Sequence, residues 1–141
     1  MSLPEQVRDL FNDPTSIKVL ATRSPRGVLH VIPVGSMKAP DSNTFAFAAI
    51  FMREAHENLE AAMKTGEQVS VLAVKTDPTK NIFLGFQARC KVKSFDTVSP
   101  VYTVFRDRLK KMGFEIHGVW ILEPVEVINQ TPGPDAGKKM T

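Results

Sequence analysis

FAFAAIFMREAHENL, Phe45 to Leu59, is the stretch on which the reading of this chain turns. A strand-like run ends at Ile50–Met52 and gives way directly to an amphipathic helix beginning near Arg53. The helix start carries Arg53, His56 and Asn58. Amide N–H groups exposed at a helix start, with the positive end of its dipole, form a ready anion site, for phosphate above all. The small-residue strand Ala46-Phe47-Ala48-Ala49 leaves room beside it for something flat. The combination points to a phosphorylated planar ligand.

Upstream, Ile17 to Thr22 reads as a strand and Ser24-Pro25-Arg26-Gly27 as a turn. Val28 to Met37 is the returning strand. Pro40-Asp41-Ser42-Asn43 is the next turn, before a strand over Thr44–Ala49. Both faces of Val28–Val34 are apolar, which calls for cover on both sides: a core on one, a partner subunit or helix on the other. Before the hairpin, residues 4–12 form a short helix with Pro4 in its first turn and Val7, Leu10 and Phe11 on one face. Asp13-Pro14-Thr15 stops it.

Downstream, the helix over 53–64 places Leu59, Ala62 and Met63 on one side and ends at Thr65-Gly66. Val69–Val74 is a strand. Ile82–Phe95 is a long one, with Phe86, Ala88, Cys90 and Val92 on one face and Gln87, Arg89, Lys91 and Lys93 on the other. Pro100–Met112 is a basic amphipathic helix closed by Gly113. Val119–Ile128 gives a last strand, or a bent strand pair broken at Glu123-Pro124. This is a mainly β chain of about six strands and three short helices, with turns tight enough to make the sheet antiparallel. A small barrel, which removes sheet edges, would house it.

The bulk properties agree. A chain of 141 residues is one domain, 1–141, and domains of this size bury about 68–70% of their unfolded surface without a staple. The lone Cys90 excludes an intramolecular disulfide and suits a reducing compartment. MSLPEQVRDLF has no basic segment ahead of an apolar one, and no apolar run approaches the roughly 20 residues of a membrane span, so a cytoplasmic protein with no membrane contact is expected. The net charge of +3 comes from cations interleaved with acids, not gathered on one face, which disfavours a nucleic-acid partner. His30 and His117 have no acid or cysteine at a metal-ligand spacing. There is no Ser-His-Asp grouping, no P-loop and no Rossmann glycine pattern, so no catalytic side chain and no metal are assigned.

Three segments in order, IKVLATRSPRGVLHVIPVGS, FAFAAIFMREAHENLEAAM and GFQARCKV, resemble the FMN-binding split-barrel family. That family includes small FMN-binding proteins and, more remotely, pyridoxamine phosphate oxidase. The resemblance covers about Ser16 to Val127. It implies a six-stranded antiparallel Greek-key split barrel and a homodimer with FMN at the subunit interface. It implies a phosphate site at Phe51, Met52, Arg53, Ala55, His56 and Asn58. The isoalloxazine would lie on strand backbone at Pro33, Val34, Gly35, Ser36, Ala48, Ala49 and Ile50, with Arg89 as a further contact. In that family the C-terminal region of the partner subunit can cover the ring, a role open to the tail, 129–141, which its Pro- and Gly-rich composition alone makes either mobile or laid along a partner. Ala55 stands near where relatives often carry Thr or Lys, and Glu54 must turn away from any phosphate.

On the residues alone, each assignment has a plain alternative. Arg53 and His56 could simply be solvated helix residues, Asn58 could hold the junction through hydrogen bonds, and Arg89 could sit on a polar strand face with Lys91 and Lys93. The expected function is an FMN flavoprotein: an oxidoreductase or electron carrier related to pyridoxamine phosphate oxidase, though not a vitamin B6 oxidase, because the longer C-terminal substrate segment is missing. Its electron donor would be NAD(P)H or a redox protein. The alternative is a non-catalytic module that binds or stores a flavin or another phosphorylated ligand.

Overall fold

Alternation along Ile17–Arg23, Gln68–Asp77 and Ile82–Asp96 organises this chain, with residues of one parity buried and the others more open, whereas Thr44–Ala48 and the start of Val119–Asn129 are buried on both faces. The computed structural model describes residues 2–141. The elements are α1 (Glu5–Asn12), β1 (Ile17–Arg23), β2 (Leu29–Pro33), β3 (Lys38–Asp41), β4 (Thr44–Ala48), α2 (Glu54–Thr65), β5 (Gln68–Asp77), β6 (Ile82–Asp96), α3 (Pro100–Lys111) and β7 (Val119–Asn129). The strands form one antiparallel sheet in the order β2-β1-β5-β6-β7-β4-β3. Its edges, β2 and β3, are not paired with each other, so the barrel is split and two edges remain.

The sheet has seven strands, not six. The returning strand stops at Pro33, where the chain turns through Val34–Met37, and Met37 N–H donates to the Val34 carbonyl at 3.3 Å. Lys38–Asp41 then pairs with β4 instead of β1. Pro40 is tolerated in β3 because an edge strand needs no donor on its open side. The β3–β4 turn is centred on Ser42 and Asn43, with Asn43 N–H bonded to Asp41 Oδ1 at 2.8 Å.

Inward side chains from every strand meet in one core. Leu20, Ala39, Phe45, Phe47, Val71, Ala88, Trp120 and Leu122 are all buried there, with Ile32 packed against them. The stripe Val7, Leu10 and Phe11 of α1 closes one end, and Ala55, Leu59 and Ala62 of α2 another. Gly66 ends α2 in the left-handed conformation, φ 78°, that its sequence position suggested. On the opposite face of β4 and β7, α3 packs Phe105 and Leu109 against Ala46, Ala48, Val119 and Ile121. Ser99 caps α3 by accepting from Tyr102 N–H at 3.2 Å.

Two lysines hold the C-terminal end of α1. Lys18 Nζ donates to the Asp13 carbonyl and Lys38 Nζ to the Asn12 carbonyl, each at 3.3 Å, complementing the negative end of the helix dipole. Burial lowers both ammonium pKa values. The Asp13 carboxylate accepts from Lys75 Nζ at 2.6 Å and from Thr15, which together hold its pKa well below the usual carboxylate range. Its stabilising contribution is therefore complete above the unfolded-state value of about 3.9 and is lost as pH falls below it.

β7 runs continuously across Glu123-Pro124, and the break appears as a bulge. Cys90 faces Pro124 while the adjacent Arg89 faces Glu126, leaving Val125 unopposed. β4 pairs only with Val119–Leu122, so Pro124 costs the ladder no bond on that side. Cys90 is buried, and burial pushes its thiol pKa up, as suits a small core residue. The segment after β7 folds back on the same chain. Asn129 N–H bonds the Lys138 carbonyl at 2.9 Å, Met140 N–H bonds the Val127 carbonyl at 2.8 Å, and Met140 packs on the core. Among the described residues, no helix is long and apolar enough to cross a membrane.

Candidate functional site

The path from β4 into α2 is built from backbone. As β4 leaves the sheet, Ala49 N–H donates to the Gly118 carbonyl at 2.9 Å, and Ile50 N–H donates to the Ala48 carbonyl at 3.1 Å. Phe51 follows with a φ of 54°. Arg53 is the N-cap residue of α2, and no side chain caps the helix. The amides of Glu54, Ala55 and His56 have no acceptor within the described chain. Three donors and a helix dipole thus point at one place.

Two cavities adjoin this junction and share Ile32, Phe51 and Met52. The larger, about 690 Å³, is lined by His30, Ala49, Arg53, Glu54, Ala55, His56, Phe95 and His117 in addition to the shared residues. The smaller, about 410 Å³, is lined by Pro33, Val34, Gly35, Ser36, Ala48, Ile50, Leu109 and Phe114 with the shared three. One wall of the smaller cavity is therefore backbone and small side chains. Ser36 Oγ accepts from Ala48 N–H at 2.9 Å and ties the two lining segments together. The Gly35 and Ser36 amides have no partner among the described residues, so both remain available to a ligand.

The polar groups of the larger cavity divide into free and engaged. The Arg53 guanidinium has no carboxylate or carbonyl partner among the described residues. His117 also makes no hydrogen bond there. Glu54 stays at the cavity rim, but its Oε2 lies 2.7 Å from His30 Nδ1, so the acid beside the helix start is held by an imidazole of β2. His56 is engaged on both nitrogens. Trp120 Nε1–H donates to His56 Nδ1 at 3.2 Å, so the proton of a neutral ring sits on Nε2 and faces Glu60 Oε1 at 2.8 Å. The His56 ring also meets Phe95 edge-on at 5.3 Å.

Of the residues expected from the sequence, Ala49, Arg53, Ala55 and His56 line the larger cavity, and Phe51 and Met52 border both. Pro33, Val34, Gly35, Ser36, Ala48 and Ile50 line the smaller. Ala55 is buried and offers only its amide. Asn58 lies outside both cavities, and its Nδ2 donates to Thr22 Oγ1 at 3.0 Å, both residues being buried. It ties α2 to β1. Arg89 lies on the outer face of β6 in an ion pair with Glu126, beside a shallow depression that also includes Arg23 and Glu67. Lys139 Nζ, 2.9 Å from Glu126, and then Arg89 hold that carboxyl below its ordinary pKa.

Sequence reasoning missed His30, Ile32, Phe95, Leu109, Phe114 and His117 as lining residues. The alternation of β2 could have singled out His30 with Ile32, because both fall on the face opposite Leu29 and Val31. The others reach the site from β6, from α3 and from the segment between α3 and β7, across pairings that no local pattern reveals.

No protein-family model and no curated protein matches the chain. Solved structures do. HupZ of Group A Streptococcus is 18% identical over 96% of this chain and 99% of its own, with a TM-score of 0.75. An FMN-binding protein from Syntrophomonas wolfei is 15% identical over 89% of this chain and 84% of its own, with a TM-score of 0.73. HutZ, described as the haem storage protein from Vibrio cholerae, is 12% identical over 92% and 95%, with a TM-score of 0.60. At these identities the likeness establishes the split-barrel fold.

Proposed function

We propose that this chain is a cytoplasmic flavoprotein that binds FMN, with the flat ring along Pro33–Ser36 and Ala48–Ile50 and the phosphate at the start of α2. The observation that carries the reading is the unengaged donor set at one junction: the Arg53 guanidinium with the Glu54, Ala55 and His56 amides, next to a cavity walled by backbone. An anion of low pKa and a planar body together fit that set. Bound FMN would supply hydride or electron transfer, with NAD(P)H or a redox protein as donor. The chain's residues would bind and orient it. The free Ser36 amide is placed to bond a ring oxygen, whereas the Ile50 amide is already committed to Ala48.

The second part of the proposal is a homodimer. The outer face of β2, β1 and β5 carries Leu29, Val31, Ile17, Val19, Leu72 and Val74 in mutual register, and Phe83 follows on β6. Leu29 is 79% exposed, and Val31 and Ile17 are each 64% exposed. A polar chain, Gln130 to Gln87 to Ser70, with each bond at 2.9 Å, and the Arg23–Glu67 and Arg89–Glu126 pairs lie beyond the apolar part. An apolar centre with a polar rim is interface anatomy. On this reading Arg89 meets the partner subunit.

Titration of the purified protein with FMN, followed by anaerobic reduction with NAD(P)H, tests the proposal. Arg53→Ala is expected to weaken FMN binding by about ten- to a hundredfold, the worth of a charge-assisted phosphate contact of about 1.5–3 kcal/mol. Glu54→Gln, which removes a negative charge from the helix start, is expected to tighten binding several-fold, about 1 kcal/mol or less. Opposite signs from adjacent residues are the signature of an anion there. If both substitutions leave the FMN affinity unchanged, the phosphate lies elsewhere.

A second reading, a binding or storage module without catalysis, is favoured by the donor set of the larger cavity. All three histidines, His30, His56 and His117, line it among apolar walls, and His117 has no partner among the described residues. That combination also suits haem, with imidazole as the iron ligand. An absorbance spectrum separates the two: the two-band spectrum of a bound flavin, bleached by NAD(P)H, against a haem Soret band that shifts in His117→Ala.

A further inference from the structure

Phe51 is the least settled side chain at the junction. Its φ of 54° lies in the left-handed region that favours glycine. The residue is 89% exposed, and its one ring contact among the described residues is an edge-on approach to Phe114 at 5.9 Å and 85°. Burial of the side chain therefore does not account for the strained backbone. Neither do hydrogen bonds, since the Phe51 N–H and carbonyl have no partner among the described residues. What sets the residue apart is its position, because with Ile32 and Met52 it borders both cavities. Strain of this kind persists where function holds it.

We propose that Phe51 is a specificity-determining stacking residue. Its ring closes over the flat ring system of the flavin from the solvent side, with Phe114 behind it. The backbone wall at Pro33–Ser36 and Ala48–Ile50 holds the opposite face of the ligand. An aromatic plate against a peptide wall selects for a planar, polarisable body and is indifferent to the phosphate. The division of labour is then spatial: Arg53 and the α2 amides read the anion, and Phe51 reads the ring. This inference rests on the flavin reading above.

The test measures dissociation constants for FMN and for riboflavin, which lacks the phosphate, by quenching of flavin fluorescence on the full chain. Phe51→Gly is expected to raise both constants about tenfold. Its thermal midpoint without ligand should be unchanged or higher, because glycine adopts the left-handed backbone without cost. Phe51→Trp keeps the plate and should hold both constants within about threefold of wild type. Arg53→Ala should weaken FMN and leave riboflavin unaffected. A Phe51→Gly protein that binds both flavins like wild type overturns the inference and leaves the flavin reading standing. A lowered midpoint with unchanged constants assigns Phe51 a structural role and also overturns it. A wild-type protein that binds neither flavin overturns the reading and the inference together.

Discussion

Trp120→Ala is expected to destabilise the fold by about 3–5 kcal/mol, the usual cost of deleting a large buried aromatic side chain. Against a total stability of about 5–15 kcal/mol, that is enough to leave a marginal domain. Trp120 is fully buried, and three packing relations converge on it. Its ring lies 4.7 Å from Phe95 and 5.1 Å from His56, and β7 sets it opposite Phe47 on one side and Phe95 on the other. The deletion opens a void where β4, β6 and β7 join. It also removes the donor that fixes the His56 ring. Trp120→Phe is the informative companion. It keeps most of the volume and is expected to cost about 1–2 kcal/mol, while leaving His56 Nδ1 without its donor. The imidazole can then take its other tautomer and turn. Urea or guanidinium denaturation with matched slopes reads both values. A loss below about 1 kcal/mol for Trp120→Ala would show that the ring is not the keystone of this core.

On the proposed homodimer through the outer face of β2, β1 and β5, Val31→Asp is expected to yield a folded monomer. In a two-fold interface each substitution occurs twice. Two carboxylates placed in the apolar centre, each desolvated and unpaired, cost several kcal/mol apiece, which weakens association by about a thousandfold or more. The monomer should remain folded, because Val31 is already solvent-facing within one chain. Sedimentation with circular dichroism separates these outcomes. Val104→Asp is the control: Val104 is also exposed, at 61%, but it lies on α3, away from the sheet face. FMN affinity should fall with dimerisation if the ring binds at the interface. A Val31→Asp protein with the wild-type mass would move the interface elsewhere.

Much of the fold was legible because its signals are local. Pro4 and the spacing of Val7, Leu10 and Phe11 marked α1, Gly66 marked the end of α2, and the parity of Phe86, Ala88, Cys90 and Val92 marked the buried face of β6. β3 was not legible. Its four residues include a proline, and what makes Lys38–Asp41 a strand is a partner, β4, not its composition. The bulge at Val125 looks like a break at Glu123-Pro124 in the sequence for the same reason, since only the ladder with β6 shows that β7 continues. At the junction, the strand-to-helix stretch is contiguous in sequence, so the shared cavity lining of Arg53, Ala55 and His56 is a local signal. The engagement of His56 by Trp120 is not: the two are 64 positions apart and meet only because β4 and β7 are paired.

The bond from Trp120 to His56 also makes this protein its own instrument. The chain has a single tryptophan, and its indole abuts two residues, His56 and Phe95, that line the larger cavity. Its emission therefore reports from one known place. An oxidised flavin nearby would accept that excitation energy and dim the signal, while a proton gained by His56 would break the bond and alter it. Occupancy and protonation of the cavity can then be followed in unlabelled protein, in real time, without any change to the sequence.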